Sequence, residues 1–276
     1  AEQARALSRE GPGVHVMPDV YLVSDMLDLP AFLALAGGGL AGVPAVLYFH
    51  ENQLTYVLPP ETQRDLGYGM KNVTSALVAK RVLFNSAYHR EEFLRAVEEL
   101  LEAMPDQVPR GVPEALRAKS GVLPVGCDLR GLDRHHDRAR VDTSAGRWGD
   151  PAEGPLVLWN HRWEYDKAPE EMFAAMVALK EEGIRFRLAV AGPGQGNVSS
   201  TVFAWARERL GDRIVQWGKV PSRGEYASLL WASDVIVSTA IHEFFGVSVV
   251  EALYCGCRPV LPARLSYPEI VPREAH

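Results

Sequence analysis

The stretch DVIVSTAIHEFFGVSVVEALYCGCRPV, Asp234–Val260, decides the fold. Asp234–Thr239 is an apolar run of strand length, Val247–Cys255 carries apolar residues at helical spacing, and Arg258–Leu261 is a second short strand. A strand, a helix and a strand in so few residues make a βαβ unit, whose strands run parallel. Toward the N-terminus the pattern repeats. Strands are predicted over Leu156–Asn160, Phe186–Ala191 and Arg213–Trp217, and helices over Pro169–Glu182, Val202–Leu210 and Arg223–Ala232. An earlier set places strands at Tyr21–Ser24, Ala45–Phe49, Arg81–Phe84 and Gly121–Val125, with helices at Leu29–Ala36, Met70–Lys80 and Tyr88–Ala103. In the last helix Phe93, Leu94, Val97, Leu100 and Leu101 share one face. Between the two sets lies Asp128–Glu153, polar and without a sustained period. It reads as a surface linker, with His135 and His136 in a solvated loop rather than a metal pair. The expectation is therefore an α/β protein of two Rossmann-like, doubly wound domains facing a cleft: residues 1–127, a linker at 128–153, and 154–276. The opening residues read as the end of a helix, so the first domain is expected to be incomplete.

Composition narrows the function. Of 276 residues, 47% are apolar and 23% charged, the balance of a globular chain rather than a disordered or fibrous one. Three cysteines are too few for a disulfide scaffold, and Cys127, Cys255 and Cys257 form no C-x-x-C pair of the kind that zinc or thiol redox chemistry uses. An odd number of thiols predicts a reducing compartment, the cytosol. The net charge of −6 argues against a generic basic-patch nucleic-acid binder and leaves room for a local basic groove. The longest apolar stretch, Leu27–Leu47, is broken by Asp28, Pro30 and Gly37–Gly39, so no membrane span is predicted.

In parallel sheets ligands sit beyond the carboxyl ends of the strands, and three such ends are polar. His50-Glu51-Asn52-Gln53 follows the apolar run AVLYF. Arg162 and Lys167 follow LVLW. A planar fork and a point charge together suit a diphosphate, the alternative being pairs with the neighbouring Glu164 and Asp166. After DVIVST come His242, Glu243, Phe245, Gly246, Val247 and Glu251, the two glutamates separated by seven residues. Gly246 turns the backbone into a helix whose N-terminus favours a phosphate. Glu251 lies among apolar neighbours, and a carboxylate in that setting can accept hydrogen bonds from a ribose diol. Ala191-Gly192-Pro193-Gly194-Gln195-Gly196 matches neither a dinucleotide fingerprint nor a P-loop and reads as a plain loop.

These residues resemble the retaining GT-B glycosyltransferases of family 4 over about Tyr21–Glu269. HENQLTY (His50–Tyr56), FNS (Phe84–Ser86), WNHRWEYDK (Trp159–Lys167) and HEFFGVSVVEALYCGC (His242–Cys257) are similar to its tRNA-queuosine mannosyltransferase branch. The resemblance implies a nucleotide-sugar donor, GDP-mannose, no metal and no further cofactor, and tRNA carrying queuosine as acceptor. It implies Arg162 and Lys167 on the diphosphate, Glu251 on the ribose, and His242, Phe245, Gly246 and Val247 lining the donor site. Glu243 and His50 on the transferring sugar are then the catalytic candidates. Glu51, Asn52, Gln53, Arg64 and Lys71 would face the acceptor. Transfer would retain configuration by front-face displacement, with charge on the leaving diphosphate held electrostatically. Two departures stand out: Val57 occupies a position where the branch has proline, and the glycine-rich loop after the family's first strand and its C-terminal crossing helix are not expected within this chain.

Two rival readings fit the same residues. The same fold can serve a glycan or lipid acceptor, against which stands the acidic polar face of Tyr88–Ala103, with Glu91, Glu92, Glu98, Glu99 and Glu102. A non-catalytic tRNA- or protein-binding module is the other. For a tRNA acceptor, Arg64, Lys71, Lys80, Arg81 and Arg90 are the expected local basic surface near the His50 loop.

Overall fold

Apolar runs of three to five residues become nine parallel strands in a computed structural model that describes residues 17–271 apart from 37, 107, 145 and 195–199. The expected helix end at the start of the chain, and Gln195–Gly196 of the glycine-rich segment, lie outside the described residues. The chain divides into two units: one of residues up to Tyr56 with Glu61–Pro124, the other of Val57–Pro60 with the chain from Val125 onward.

The first unit carries β1 (Tyr21–Ser24), α1 (Leu29–Ala36), β2 (Ala45–Phe49), α2 (Leu66–Val78), β3 (Arg81–Phe84), α3 (Ala87–Glu102), α4 (Val112–Lys119) and β4 (Ser120–Val122). Its sheet runs in the order β1-β2-β3-β4, with Phe49 in register with Phe84. Ala45, Leu47 and Phe49 alternate into the core, where the Phe49 and Phe84 rings stack at 4.9 Å and Phe93 of α3 closes over them. Val46, Tyr48 and Leu83 on the opposite face are half-buried, and Leu22 is 74% exposed. The described elements of this unit therefore build one core on one sheet face.

The second unit is doubly wound. It carries α5 (Arg130–Asp133), α6 (His136–Ser144), β5 (Leu156–Asn160), α7 (Pro169–Glu181), β6 (Arg187–Ala191), α8 (Ser200–Leu210), β7 (Ile214–Gly218), α9 (Arg223–Ala232), β8 (Val235–Val237), α10 (Val247–Tyr254), β9 (Arg258–Val260) and α11 (Tyr267–Ile270). Leu156 and Leu158 pack on the side of α9 and α10, while Val157 and Trp159 pack on the side of α7 and α8. That is the two-sided burial a parallel strand needs. The order β7-β6-β5-β8-β9 reverses between β5 and β8. A crevice opens where an α/β sheet reverses in this way, and ligands bind there.

The segment expected to be a polar linker is corrected. Residues 130–133 and 136–144 are helical, and Leu132, Ala139 and Trp148 are buried. The Trp148 indole faces the Ser228 hydroxyl at 3.4 Å, and Ser228 in turn donates to Asp142 at 2.7 Å. His136 packs its ring edge-on against Trp231, at 4.7 Å between centroids. These few apolar anchors, irregularly spaced among five arginines, fasten the segment to α9 without producing a readable period.

Candidate functional site

At the β5–β8 switch point two loops are sewn together. Ile241 N–H donates to the Asp166 carbonyl at 2.8 Å, and the Thr239 hydroxyl lies 2.8 Å from the Lys167 carbonyl and 3.0 Å from that of Ala168. Ala168 is held at φ 44°, a left-handed conformation unusual for a residue with a Cβ. This pinning buries Lys167 and sets its Nζ at 2.9 Å from Asp166 Oδ2, 3.3 Å from Glu243 Oε2 and 3.0 Å from the His242 carbonyl. Burial works against the ammonium, but Glu243 and Asp166 outweigh it and hold Lys167 above the usual lysine range. The structure thus joins Lys167 and Glu243, two residues 76 positions apart. Arg162 is half-exposed and pairs with Glu164 at 3.2 Å. Both cations therefore have the carboxylate neighbours the sequence offered them.

Between Arg162 and the strand lies His161, buried, with no partner for Nε2. Burial, and then the nearby Lys167 charge, push its imidazole down to about 3, so it is neutral at ordinary pH. Gly192, at the end of β6, is at φ 149°, and a Cβ there would lie 1.9 Å from the His161 carbonyl. The glycine lets β6 turn directly against the loop that carries Arg162 and Lys167.

The loop from His242 to Gly246 is clamped from below, where the Ser266 hydroxyl lies 3.2 Å from the carbonyls of Glu243 and Phe245. His242 and Phe245 are buried. Gly246 has φ 90° and starts α10 at Val247, whose side chain is partly exposed. Glu251 lies one turn further along and is buried. Its Oε1 accepts from Arg223 at 2.7 Å and its Oε2 from the Tyr226 hydroxyl at 2.9 Å, while Asn160 at the end of β5 donates to that hydroxyl at 3.0 Å. Burial first, and Glu251 second, raise the Tyr226 phenol far above its usual value, so it stays a donor. A carboxylate offers about four acceptor positions, so Glu251 keeps capacity for a diol. Arg223 and Tyr226 were not singled out from the sequence. Their signal was the i, i+3 pair at the start of a helix capped by Ser222.

In the first unit the carboxyl ends of β1, β2 and β3 bring Asp25, His50 and Asn85 together. Asp25 is buried, and its Oδ1 accepts the His50 N–H at 3.0 Å and lies 3.5 Å from the ring Nδ1. Asn85 donates to the His50 carbonyl at 3.0 Å. The acceptor-side candidates behave differently. Asn52 is fully buried and caps its own loop, accepting from Leu54 and Thr55 N–H, so it is not a surface contact. Gln53 N–H is held by Asn72 at 2.8 Å, and Glu51 is half-buried. Arg64 is exposed and folds its guanidinium onto the Gln53 and Tyr56 carbonyls at 2.6 and 2.7 Å. Lys71 sits over the Tyr68 ring at 4.8 Å. Lys80 and Arg81 lie at the opening of β3, the sheet edge opposite His50, and so do not belong to a surface around it. Among the described residues no cluster of three or more His, Cys, Asp or Glu is arranged to hold a metal, and no helix is long and apolar enough to cross a membrane.

Two parallel sheets with a polar crevice at the carboxyl edge define the fold class of GT-B glycosyltransferases. Sucrose-phosphate synthase from Thermosynechococcus elongatus superposes with a TM-score of 0.66 at 21% identity, over 93% of this chain and 59% of that one. Anabaena HepE, solved in complex with UDP-glucose, gives 0.62 at 18%, over 92% and 62%. Residues 142–275 match the family described as glycosyl transferases group 1, and residues 2–127 match that described as tRNA-queuosine alpha-mannosyltransferase N-terminal. The chain belongs to the tRNA-queuosine alpha-mannosyltransferase family of group 1 glycosyltransferases. It is 34% identical over 256 residues to the tRNA-queuosine alpha-mannosyltransferase of Drosophila melanogaster, covering 92% of this chain and 66% of that protein. It is 26% identical to a GDP-mannose-dependent alpha-(1-6)-phosphatidylinositol dimannoside mannosyltransferase of Mycobacterium tuberculosis, covering 92% and 59%. The chain thus spans about three fifths to two thirds of the length of these relatives.

Proposed function

We propose that this chain is a retaining, metal-independent hexosyltransferase that moves mannose from GDP-mannose to queuosine in tRNA, and that it works in the cytosol. The observation that carries the reading is the buried Lys167–Glu243 pair at the β5–β8 switch point, joining the two loops that also carry the exposed Arg162 and lead into the N-terminus of α10. Lys167, Arg162 and the helix N-terminus stabilise the negative charge that develops on the departing diphosphate. His242, Phe245, Gly246 and Val247 shape the loop against which the diphosphate rests. Glu251, steadied by Arg223 and Tyr226, accepts from the ribose diol. Glu243 and His50 contact the sugar hydroxyls, and a donor phosphate oxygen takes the proton of the acceptor hydroxyl. The name of the fly relative supplies the queuosine acceptor, and that of the mycobacterial relative agrees with GDP-mannose as donor.

A lipid acceptor is the second reading, and the mycobacterial likeness favours it. Against it, the solvent side of α3 carries Glu92 and Glu99 bonded to Arg95, and exposed Glu98 and Glu102. An anionic bilayer repels such a face. The deciding experiment offers the chain radiolabelled GDP-mannose with tRNA that carries queuosine, the same tRNA without it, and phosphatidylinositol vesicles. Label entering only the queuosine tRNA is expected. Label entering the lipid overturns the acceptor assignment.

A further inference from the structure

A histidine can meet a sugar hydroxyl as donor or as acceptor, and its tautomer decides which. The neighbour that faces the His50 ring is Asp25. It directly follows β1, and it is 3% exposed, while the His50 side chain beside it is 60% exposed. Asp25 is itself anchored from two sides, its N–H donating to the Tyr48 carbonyl at 3.2 Å and its carbonyl accepting from Asn72 at 2.9 Å. Its Oδ1 already accepts the His50 backbone N–H, so that oxygen is held as an acceptor facing the ring Nδ1. The far side of the residue is fixed too, by Asn85 on the His50 carbonyl and by the Tyr48 ring, whose centroid is 4.7 Å from the imidazole.

We infer that Asp25 is a positioning residue that holds His50 in the Nδ1–H tautomer, so that His50 meets the sugar as a hydrogen-bond acceptor through Nε2. The inference deepens the proposed function and rests on its placement of His50 at the transferring sugar. A carboxylate has no proton to offer, so an unprotonated Nδ1 would set a lone pair against a negative oxygen. With the proton on Nδ1 the contact becomes attractive and the remaining ring nitrogen carries the lone pair. Free imidazole side chains favour the other tautomer, so the buried carboxylate changes the outcome. A sugar hydroxyl can then donate to Nε2, and a hydroxyl so engaged keeps its oxygen free to accept elsewhere.

The test is nitrogen-detected NMR of the ¹⁵N-histidine-labelled full chain, at a pH well above the imidazole range, with His50 assigned from the spectrum of His50→Gln. The wild type is expected to show Nδ1–H at His50. Asp25→Asn keeps an oxygen for the His50 backbone N–H and removes the charge. It is expected to move the ratio toward Nε2–H and to lower kcat for transfer about tenfold, with GDP affinity unchanged. A wild-type His50 in the Nε2–H form overturns the inference. So does an Asp25→Asn protein with an unaltered tautomer ratio or an unaltered kcat. Should that variant not fold, the wild-type tautomer alone decides. The tautomer is read without substrate, so it is judged separately from the acceptor: loss of queuosine transfer in the wild type counts against the proposed function, and the wrong tautomer counts against Asp25.

Discussion

At the scale of single residues, burial separates side chains that look alike in sequence. Arg162 and Lys167 both read as diphosphate ligands, but only Lys167 is buried between two carboxylates. Lys167→Met leaves Asp166 and Glu243 without their counter-charge, and the expected loss is about 3–5 kcal/mol of stability, seen in a denaturant melt. Arg162→Ala removes a half-exposed pair worth about 0–1 kcal/mol to the fold. In calorimetry with GDP the same change should cost about 1.5–3 kcal/mol of affinity, as expected for a charge-assisted bond. Unchanged GDP affinity would take Arg162 out of the donor site. His161 supplies a pH test. It titrates near 3 when folded and near 6.5 when unfolded, so between those values the unfolded chain binds the extra proton. Stability therefore rises with pH across that window and is lost as pH falls through it. Between pH 7 and pH 5 the wild type should lose roughly 2 kcal/mol through this group. A His161→Asn protein should lack that part of the slope, and an identical slope would show that His161 is not the group responsible.

At the scale of elements, the close approach of two loops is the fragile feature. Gly192→Ala would bring a Cβ to 1.9 Å from the His161 carbonyl oxygen, against the His161–Arg162 peptide backbone rather than a flexible side chain that could yield. The loop carrying Arg162 and Lys167 would have to move, so both melting temperature and GDP affinity should drop. Gly183→Ala is the control, since its φ of 77° carries strain but nothing lies within 4 Å of the new Cβ. Loss of stability without loss of GDP binding at Gly192 would show that the approach does not shape the site. The same scale explains what the sequence made legible. Strands such as Ala45–Phe49 and Leu156–Asn160 were readable because an apolar run ends in a polar cluster, and the structure places them at those residues. The sequence pattern places the start of α2 at Met70 because Gly67 and Gly69 hide its first turn. It begins at Leu66, capped by Asp65, and Gly69 is small because Leu54 packs on it. α4 was missed because a left-handed Gly111 followed by Pro113 looks like a break rather than a helix start. Asp25 and Tyr226 were missed for another reason. Their partners lie 25 residues away, so even the i, i+3 spacing that puts Arg223 and Tyr226 on one helix face does not tell which carboxylate they meet, and Asp25 has no local signal at all.

At the scale of the whole molecule, a net charge of −6 has to be reconciled with the proposed acceptor, which is itself a polyanion. Each phosphate contact releases counterions, so binding to tRNA should fall steeply as salt rises. The question is which cations supply it. Lys80 and Arg81 sit at the amino edge of the first unit's sheet, and the loops after β1, β2 and β3 lie at the opposite edge. Arg64 and Lys71 belong to the other set. The guanidinium of Arg64 grips the carbonyls of the segment that follows His50, and Lys71 stands on the Tyr68 ring in the helix behind it. Neutralising Lys71 should therefore weaken tRNA binding and reduce the salt slope by about one contact. Neutralising Arg64 should do the same and also slow transfer, because the loop it ties down lies next to His50. Replacing Lys80 and Arg81 together should leave affinity and slope as they were. Filter-binding titrations at several salt concentrations separate these outcomes. A salt-independent affinity would mean that the acceptor is not held through its phosphates. An effect confined to Lys80 and Arg81 would move the tRNA to the other edge of the sheet, away from the only histidine-bearing loop among the described strand ends of that unit.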